Sequence, residues 1–357
     1  MKSKRIIYIF LSLFVFLQCW KKQHHEITAP EIPRYTISGT IKDIDTDEII
    51  AGSAIHITAD SHIAFDDTAY KEVSDTSDTS GYYELEGLPP GIYHLGVKRG
   101  EYEVTVETVF LGYRDTTFDI GLPKILISHT NYQFSGKQNW LKYPLLYGLY
   151  WKSRSRLAVI TQDQSDRWRI IEGNYTSGFS IVGTQFWKEN PKLWGLTYLY
   201  NYWTCGGTNF DAKLYAIYPG KGYVESEINV SYLIKDLTDN GSNIWATASI
   251  GKIIKYGNHP SVIEKIYDFP ASNPAGIAWD GENIWTNGYN ISTSSSNQNF
   301  IYKHDQEMNV EQTFCPIYED NLYNYFIIRE ISYLSFDFNG NLWAADGINV
   351  YVLEINQ

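Results

Sequence analysis

Two textures of hydrophobic and polar alternation divide the chain. From Tyr35 to Thr58, in "YTISGTIKDIDTDEIIAGSAIHIT", apolar and polar residues alternate with Gly39 and Gly52 as punctuation, which predicts two short strands. The stretch from Thr76 to Tyr102, "TSDTSGYYELEGLPPGIYHLGVKRGEY", predicts a turn at Ser80-Gly81 and a strand with Tyr83 and Leu85 on one face. A turn at Pro89-Pro90-Gly91 then leads to a strand with Tyr93, Leu95 and Val97 inward, and "TTFDIGL", Thr116 to Leu122, supplies a closing strand. Farther on a phrase repeats: "LTDNGSNIWAT" from Leu237, "GIAWDGENIWT" from Gly276 and "LSFDFNGNLWAA" from Leu334. Each sets an apolar run, a polar turn and then Asn-Ile-Trp or Asn-Leu-Trp.

Aligned on that tryptophan, the copies place Trp203, Trp245, Trp285 and Trp343 at spacings of 42, 40 and 58. The longest interval holds the polar tract Asn290 to Asn299 and an extra segment from Pro316 to Tyr325, and a weaker copy, "GLYWKSRSRLAVIT" from Gly148, makes five. A period of 40 to 50 residues built of strand, tight turn and strand is the signature of a propeller blade, one four-stranded sheet per repeat. A single blade cannot bury both faces, and stacking neighbours in a ring removes the exposed surface. The expected fold class is therefore all-β: a small β-sandwich followed by a β-propeller of five blades, with six as the alternative. The expected division is 1–18 signal peptide, 19–33 tether, 34–127 sandwich and 128–357 propeller.

These motifs resemble known families. Gly39 to Asp43, Ala51 to Ile55 and Asp78 to Leu95, with Gly81 and Pro90-Gly91 at the expected spacing, are similar to the carboxypeptidase regulatory-like (transthyretin-like) sandwich. That resemblance implies a seven-strand-like spacer or interaction module with no active site. The repeats resemble propellers of extracellular bacterial proteins, of the sensor type ("D-x-x-G-N-L-W", here Asp337 to Trp343) and of the NHL-like and glutamine-cyclotransferase-like types ("GIAWDGENIWT"). Propellers with such phrases include binders, scaffolds and enzymes.

The N-terminus carries an address. In "MKSKRIIYIFLSLFVFLQCWKK" a basic start precedes an apolar run from Ile6 to Leu17, too short for a bilayer span and the right length for a signal-peptide core. Cys19 follows it directly and resembles the lipobox cysteine of bacterial lipoproteins, with Phe16, Leu17 and Gln18 ahead of it. The resemblance implies acylation of Cys19; a plain cleaved signal or short anchor is the alternative. The stretch after it, with Pro30 and Pro33 and no periodicity, reads as a tether. Cys205 and Cys315 are then an even pair, which could bridge in an oxidising compartment or remain two buried thiols.

Composition narrows the function. Hydrophobic content of 43% with 29 Tyr and 11 Trp excludes disorder and favours strands, and a formal charge of -12 repels phosphate backbones, so nucleic acid is not an expected partner. The eight histidines show no zinc-peptidase spacing, and no phosphate loop or nucleophile elbow is present. Asp60, Asp66, Asp67, Asp75 and Asp78 read as a solvated acidic loop, with calcium as the lesser alternative. In the segment aligned with the cyclotransferase signature, Thr286 to Thr293, no Glu stands, and His259 and His304 lack a sequence partner for lyase chemistry. The aromatic run "LWGLTYLYNYWTCGG" offers Trp194, Tyr198, Tyr200 and Tyr202 as a stacking platform for a sugar or a partner chain, although alternation sends half of these rings inward. The four repeated tryptophans are expected in the cores within and between blades. The expected protein is a monomeric, exported lipoprotein without cofactor, metal or catalytic residues. Its expected partners are the membrane, through Cys19, and an unidentified protein or glycan; the alternative is an extracytoplasmic propeller enzyme.

Overall fold

A computed structural model describes residues 33–355, apart from 60–72, 100–101, 129–130, 134–146, 154–155, 163–167, 175–179, 182–192, 200, 209–210, 219–223, 258, 291–297, 320–324 and 329. Its regular elements are all strands, thirty among the described residues. The first eight build the sandwich: β1 (Tyr35–Asp43), β2 (Ala54–Ala59), β3 (Val73–Thr76), β4 (Tyr82–Leu88), β5 (Gly91–Arg99), β6 (Tyr102–Leu111), β7 (Thr116–Thr117) and β8 (Ile120–Leu122). One sheet runs β4-β1-β7 with β8 continuing along β1, and the other runs β3-β2-β5-β6. The alternation read from the sequence is the physical division of the two faces: Ile37, Ile41, Tyr83 and Leu85 of one sheet meet Ile55, Ile57, Tyr93, Leu95 and Val97 of the other in a single core. The expected closing strand is two short ones. Between them the Phe118 carbonyl accepts the Tyr83 hydroxyl at 2.6 Å, while Asp119 accepts both the amide and the hydroxyl of Thr40 at 2.8 Å. Gly39 faces this break, where a Cβ would stand 1.9 Å from the Phe118 oxygen, so no other residue fits.

The change of module falls at Pro123, a few residues ahead of the expected boundary after 127, because β9 (Lys124–Ser128) already pairs in parallel with a propeller strand. After β10 (Asn131–Gln133) come five blades. Blade 1 comprises β11 (Gly148–Ser153), β12 (Arg156–Gln162), β13 (Trp168–Asn174) and β14 (Ser180–Ile181). Blade 2 comprises β15 (Leu193–Leu199), β16 (Asn201–Thr208), β17 (Asp211–Ile217) and β18 (Val224–Asn229). Blade 3 comprises β19 (Ile234–Asp239), β20 (Ile244–Ala248), β21 (Lys252–Tyr256) and β22 (Ile263–Asp268). Blade 4 comprises β23 (Asn273–Trp279), β24 (Ile284–Asn290), β25 (Gln298–His304) and β26 (Val310–Glu319); β9 is added to its outer edge, and β27 (Tyr325–Ile327) pairs with the far end of β26 on the edge that β26 shares with β25. Blade 5 comprises β28 (Tyr333–Phe336), β29 (Leu342–Ala345) and β30 (Asn349–Leu353), and its fourth strand is β10, from the start of the module.

The blades close into a ring. The first strand of each lies beside the first strand of the next, β11 beside β15, then β19, β23 and β28, and β28 returns beside β11. Five apolar cores alternate with five blades, one in each gap. Trp203 fills the gap after blade 2, Trp245 after blade 3, Trp285 after blade 4 and Trp343 after blade 5, each on the second strand of its blade and each buried. The weaker fifth copy forms blade 1 without a tryptophan on its second strand: Trp151 sits on the first strand, edge-on to Trp343 at 5.0 Å, and β12 supplies Leu157 and Val159 to that gap.

Candidate functional site: the propeller axis

The inner strand of blade 3 reads IKDLTD, and both of its aspartates are drawn into the ring. A register shift between Ile234 and Asp236 interrupts the pairing with β20 and re-aims the side chains. Asp236 is 0% exposed. Its Oδ2 accepts the Ile277 amide of blade 4 at 3.1 Å and the Leu334 amide of blade 5 at 3.3 Å, and backbone N–H groups of Leu196 in blade 2 and Leu237 also point at the carboxylate. Burial pushes its carboxyl well above the ordinary range, against the lowering effect of those four amides. Three residues on, Asp239 accepts the Thr197 hydroxyl of blade 2 at 2.8 Å and the Tyr150 hydroxyl of blade 1; burial raises its carboxyl too. Two side chains from one strand thus reach all four other blades.

Glycines make the approach possible. Gly195 has φ +64°, and a Cβ there would stand 3.0 Å from the Asp236 Cα and 3.1 Å from the Cys205 sulfur. At Gly276 a Cβ would lie 2.5 Å from Asn287 Oδ1, which instead accepts the Gly276 amide at 2.7 Å. Asn287 then donates to Asn299 at 3.1 Å and to the Ile331 carbonyl at 2.8 Å, which joins blade 4 to the entry of blade 5. Around this centre the Cys205 thiol is pushed well up, first by burial and then by Asp236, and the Tyr333 hydroxyl likewise. A thiol so raised is a poor nucleophile. The arrangement can bind the blades together; Asp236, Cys205 and Asn287 have no exposed surface worth the name for an incoming molecule.

The residues singled out from sequence fall elsewhere. Tyr202 is fully buried in the gap between blades 1 and 2 and is a core residue, and the half-buried Tyr198 packs edge-on against it at 5.1 Å. The Trp194 side chain, Tyr200 and Cys19 lie outside the described residues. Cys205 and Cys315 are buried thiols on blades 2 and 4, not bridged to each other; the fold places them in different sheets, which overrides the pairing suggested by their even number. His304 is a buried core residue whose Nε2 meets the Thr286 hydroxyl at 2.8 Å; burial lowers its pKa to about 4, so the ring is neutral. His259 is paired with Ser261 at 2.9 Å. Of the acidic loop, Asp75 accepts the Glu84 amide and Asp78 caps Ser80 and Tyr82, while Asp60, Asp66 and Asp67 lie outside the described residues. Among the described residues no group of three or more His, Cys, Asp or Glu is placed to hold a metal ion, and no helix is long and apolar enough to cross a membrane.

Sequence reasoning missed the axis. Its signals were the charged pair Lys235-Asp236 inside the run "YLIKDLT" and glycines inside the strands "LWGL" and "PAGIAW".

A sandwich joined to a closed five-bladed ring defines the class of protein. Residues 36–122 match the carboxypeptidase regulatory-like domain family, which covers the sandwich alone. No curated protein matches the sequence significantly. Among solved structures, the chain is similar to the glutaminyl cyclase of Myxococcus xanthus at 9% identity, covering 65% of this chain and 98% of that one with a TM-score of 0.46. It is also similar to the Neurospora crassa Pan2 WD40 domain, at 12% identity over 66% and 98% of the two chains with a TM-score of 0.39. A streptogramin B lyase aligns at 13% identity over 64% and 98%, with a TM-score of 0.35. Likenesses this remote carry no implication about function.

Proposed function

We propose that this protein is an exported lipoprotein, anchored through Cys19, whose sandwich holds a non-catalytic propeller away from the membrane so that its surface binds a protein or glycan. The observation that carries the reading is the placement of the two chain connections on the sandwich. The tether enters at Arg34, where β1 begins and Tyr35 pairs with Leu88. The propeller leaves after Leu122, paired with Asp43 at the other end of β1, and there Asp45 accepts the Thr313 amide of blade 4 at 2.8 Å. A nine-residue strand spans about 30 Å, so the sandwich is a spacer of that order between anchor and ring. The axis supports a binding role over an enzymatic one, because its acidic side chains are spent on backbone amides and hydroxyls of neighbouring blades.

Membrane fractionation with intact-mass analysis of the N-terminal peptide tests the anchor. A diacyl or triacyl Cys19, and release of Cys19→Ala into the soluble fraction, are the expected results; an unmodified chain beginning beyond Cys19 refutes the anchor. Ammonia release from peptides with N-terminal glutamine tests the alternative, and turnover by the purified protein would overturn the non-catalytic reading.

A further inference from the structure

We propose that the tether-side pole of the sandwich rests on the lipid interface, with Phe110 and Tyr113 as its contact side chains; this rests on the lipoprotein reading above. Phe110 is 71% exposed and Tyr113 81%, the two most exposed large hydrophobic side chains among the described residues of the sandwich. They lie at the end of β6 and in the loop that crosses from it to the opposite sheet. Pairing fixes which end this is: Leu111 pairs with Gly91 and Phe110 with Ile92, next to the Pro89-Pro90 turn. Asp115, at the far side of the loop, accepts the Thr36 amide at 2.9 Å, and Arg34 donates to the Gly87 carbonyl at 2.7 Å. The aromatic loop and the point where the tether enters are therefore one surface, opposite the propeller joint at Asp45.

The length of the tether selects the occupant. Residues 20–33 follow the anchor cysteine. Even fully extended, fourteen residues reach at most about 50 Å. This pole thus spends its time within reach of the bilayer that holds Cys19. Tyr and Phe rings suit the headgroup boundary, where one part of the side chain is apolar and the surroundings are wet. Arg114 is exposed beside Tyr113 and can meet lipid phosphate, whereas Asp115 is occupied by Thr36; Glu86 is the exposed acid on the adjoining end of β4.

Hydroxyl-radical footprinting of the full chain tests this, comparing protein reconstituted in phosphatidylethanolamine/phosphatidylglycerol vesicles with the same protein dispersed singly in detergent, then released from it by cleaving the tether. Phe338, 56% exposed on blade 5, is the internal reference. In vesicles, modification of Phe110 and Tyr113 should fall several-fold relative to the tether-cleaved protein, with Phe338 unchanged. Equal modification in both states, with Cys19 shown by mass to be acylated, overturns the lipid contact and leaves the anchor standing. Protection that also develops in the tether-cleaved protein as its concentration is raised identifies a second copy of this chain as the occupant and overturns it as well. An unacylated Cys19 removes the anchor and this placement together.

Discussion

The turns before Trp245 and Trp285 occupy the same place in successive blades and are built differently. In blade 4, Asp280 accepts the Glu282 amide at 2.8 Å and the Asn283 amide at 2.6 Å through one oxygen, and the Trp285 indole N–H at 2.7 Å through the other. Blade 5 repeats the arrangement, with Asp337 accepting from Asn339, Asn341 and the Trp343 indole at 3.1 Å. Blade 3 has Asn240. Its Oδ1 caps Ser242 and Asn243, but its second polar atom is an NH₂ and cannot accept. The Trp245 indole N–H is left buried with no acceptor, and Asn243 turns its amide to the Tyr256 carbonyl. The residue before the turn accounts for the difference. Trp279 and Phe336 precede the aspartates, whereas Asn240 follows Asp239, a buried carboxyl already committed to Thr197 and Tyr150. A second carboxylate beside it would face like-charge repulsion in a desolvated site. The repeat is thus overridden where the axis needs the neighbouring position.

The largest effect should come from removing what the turns support. Trp285→Ala deletes a ring stacked on Phe314 at 5.4 Å in the gap between blades 4 and 5, and should cost about 3–5 kcal/mol in urea unfolding. Trp245→Ala should cost less than Trp285→Ala, because it also removes an unsatisfied indole N–H.

Next in size is the cap itself. Asp280→Ala leaves two backbone amides and an indole N–H without their acceptor and should cost about 2 kcal/mol, more than Asn240→Ala, which releases only backbone amides. Equal losses at both positions would mean that the indole bond contributes nothing.

The half-buried Asp337 and the fully buried Asp236 should give opposite pH responses. At Asp337 burial raises the carboxyl, but hydrogen bonds from Asn341 and the Trp343 indole outweigh it and hold the pKa below 3.8. Its contribution to stability is therefore present above pH 3.8 and is lost as pH falls through the lower, folded value. Asp236 has the reverse sign. Its folded pKa is raised, so the folded state holds a proton that the unfolded state has released, and stability falls as pH rises above 3.8. Thermal melts across pH should show Asp236→Asn flattening the decline on the alkaline side and Asp337→Asn flattening the decline on the acid side. Unchanged profiles would refute either assignment.

The smallest effect sharpens the comparison most. Asn240→Asp gives the Trp245 indole an acceptor, a gain of at most about 1 kcal/mol, opposed by Asp239 next door. In an Asp239→Asn background the same substitution should gain more, and a double-mutant cycle measures the difference. Additivity would show that Asp239 does not set the choice of Asn240.

The sandwich was legible in detail because its information is local: alternation placed Tyr83, Leu85, Tyr93, Leu95 and Val97 inward, and Gly81, with φ +72°, marked its turn. The tryptophan period was legible for the same reason, and it predicted both the blade count and the burial of Trp203, Trp245, Trp285 and Trp343. At Tyr202 the aromatic run misled, since period-2 alternation gives a strand two faces and does not say that neighbouring sheets in a ring cover Tyr202 on one and Trp203 on the other.

Sequence by itself determined the strands, the repeat and the two modules, because backbone alternation and turn chemistry act over a few residues. Only the tertiary structure decided that β10 completes blade 5, that Cys205 and Cys315 stand apart, and that Asp236 gathers amides from blades 2, 4 and 5. Those facts depend on closure, which brings Asp236 beside Leu334, 98 residues away, and no local pattern encodes a distance of that kind.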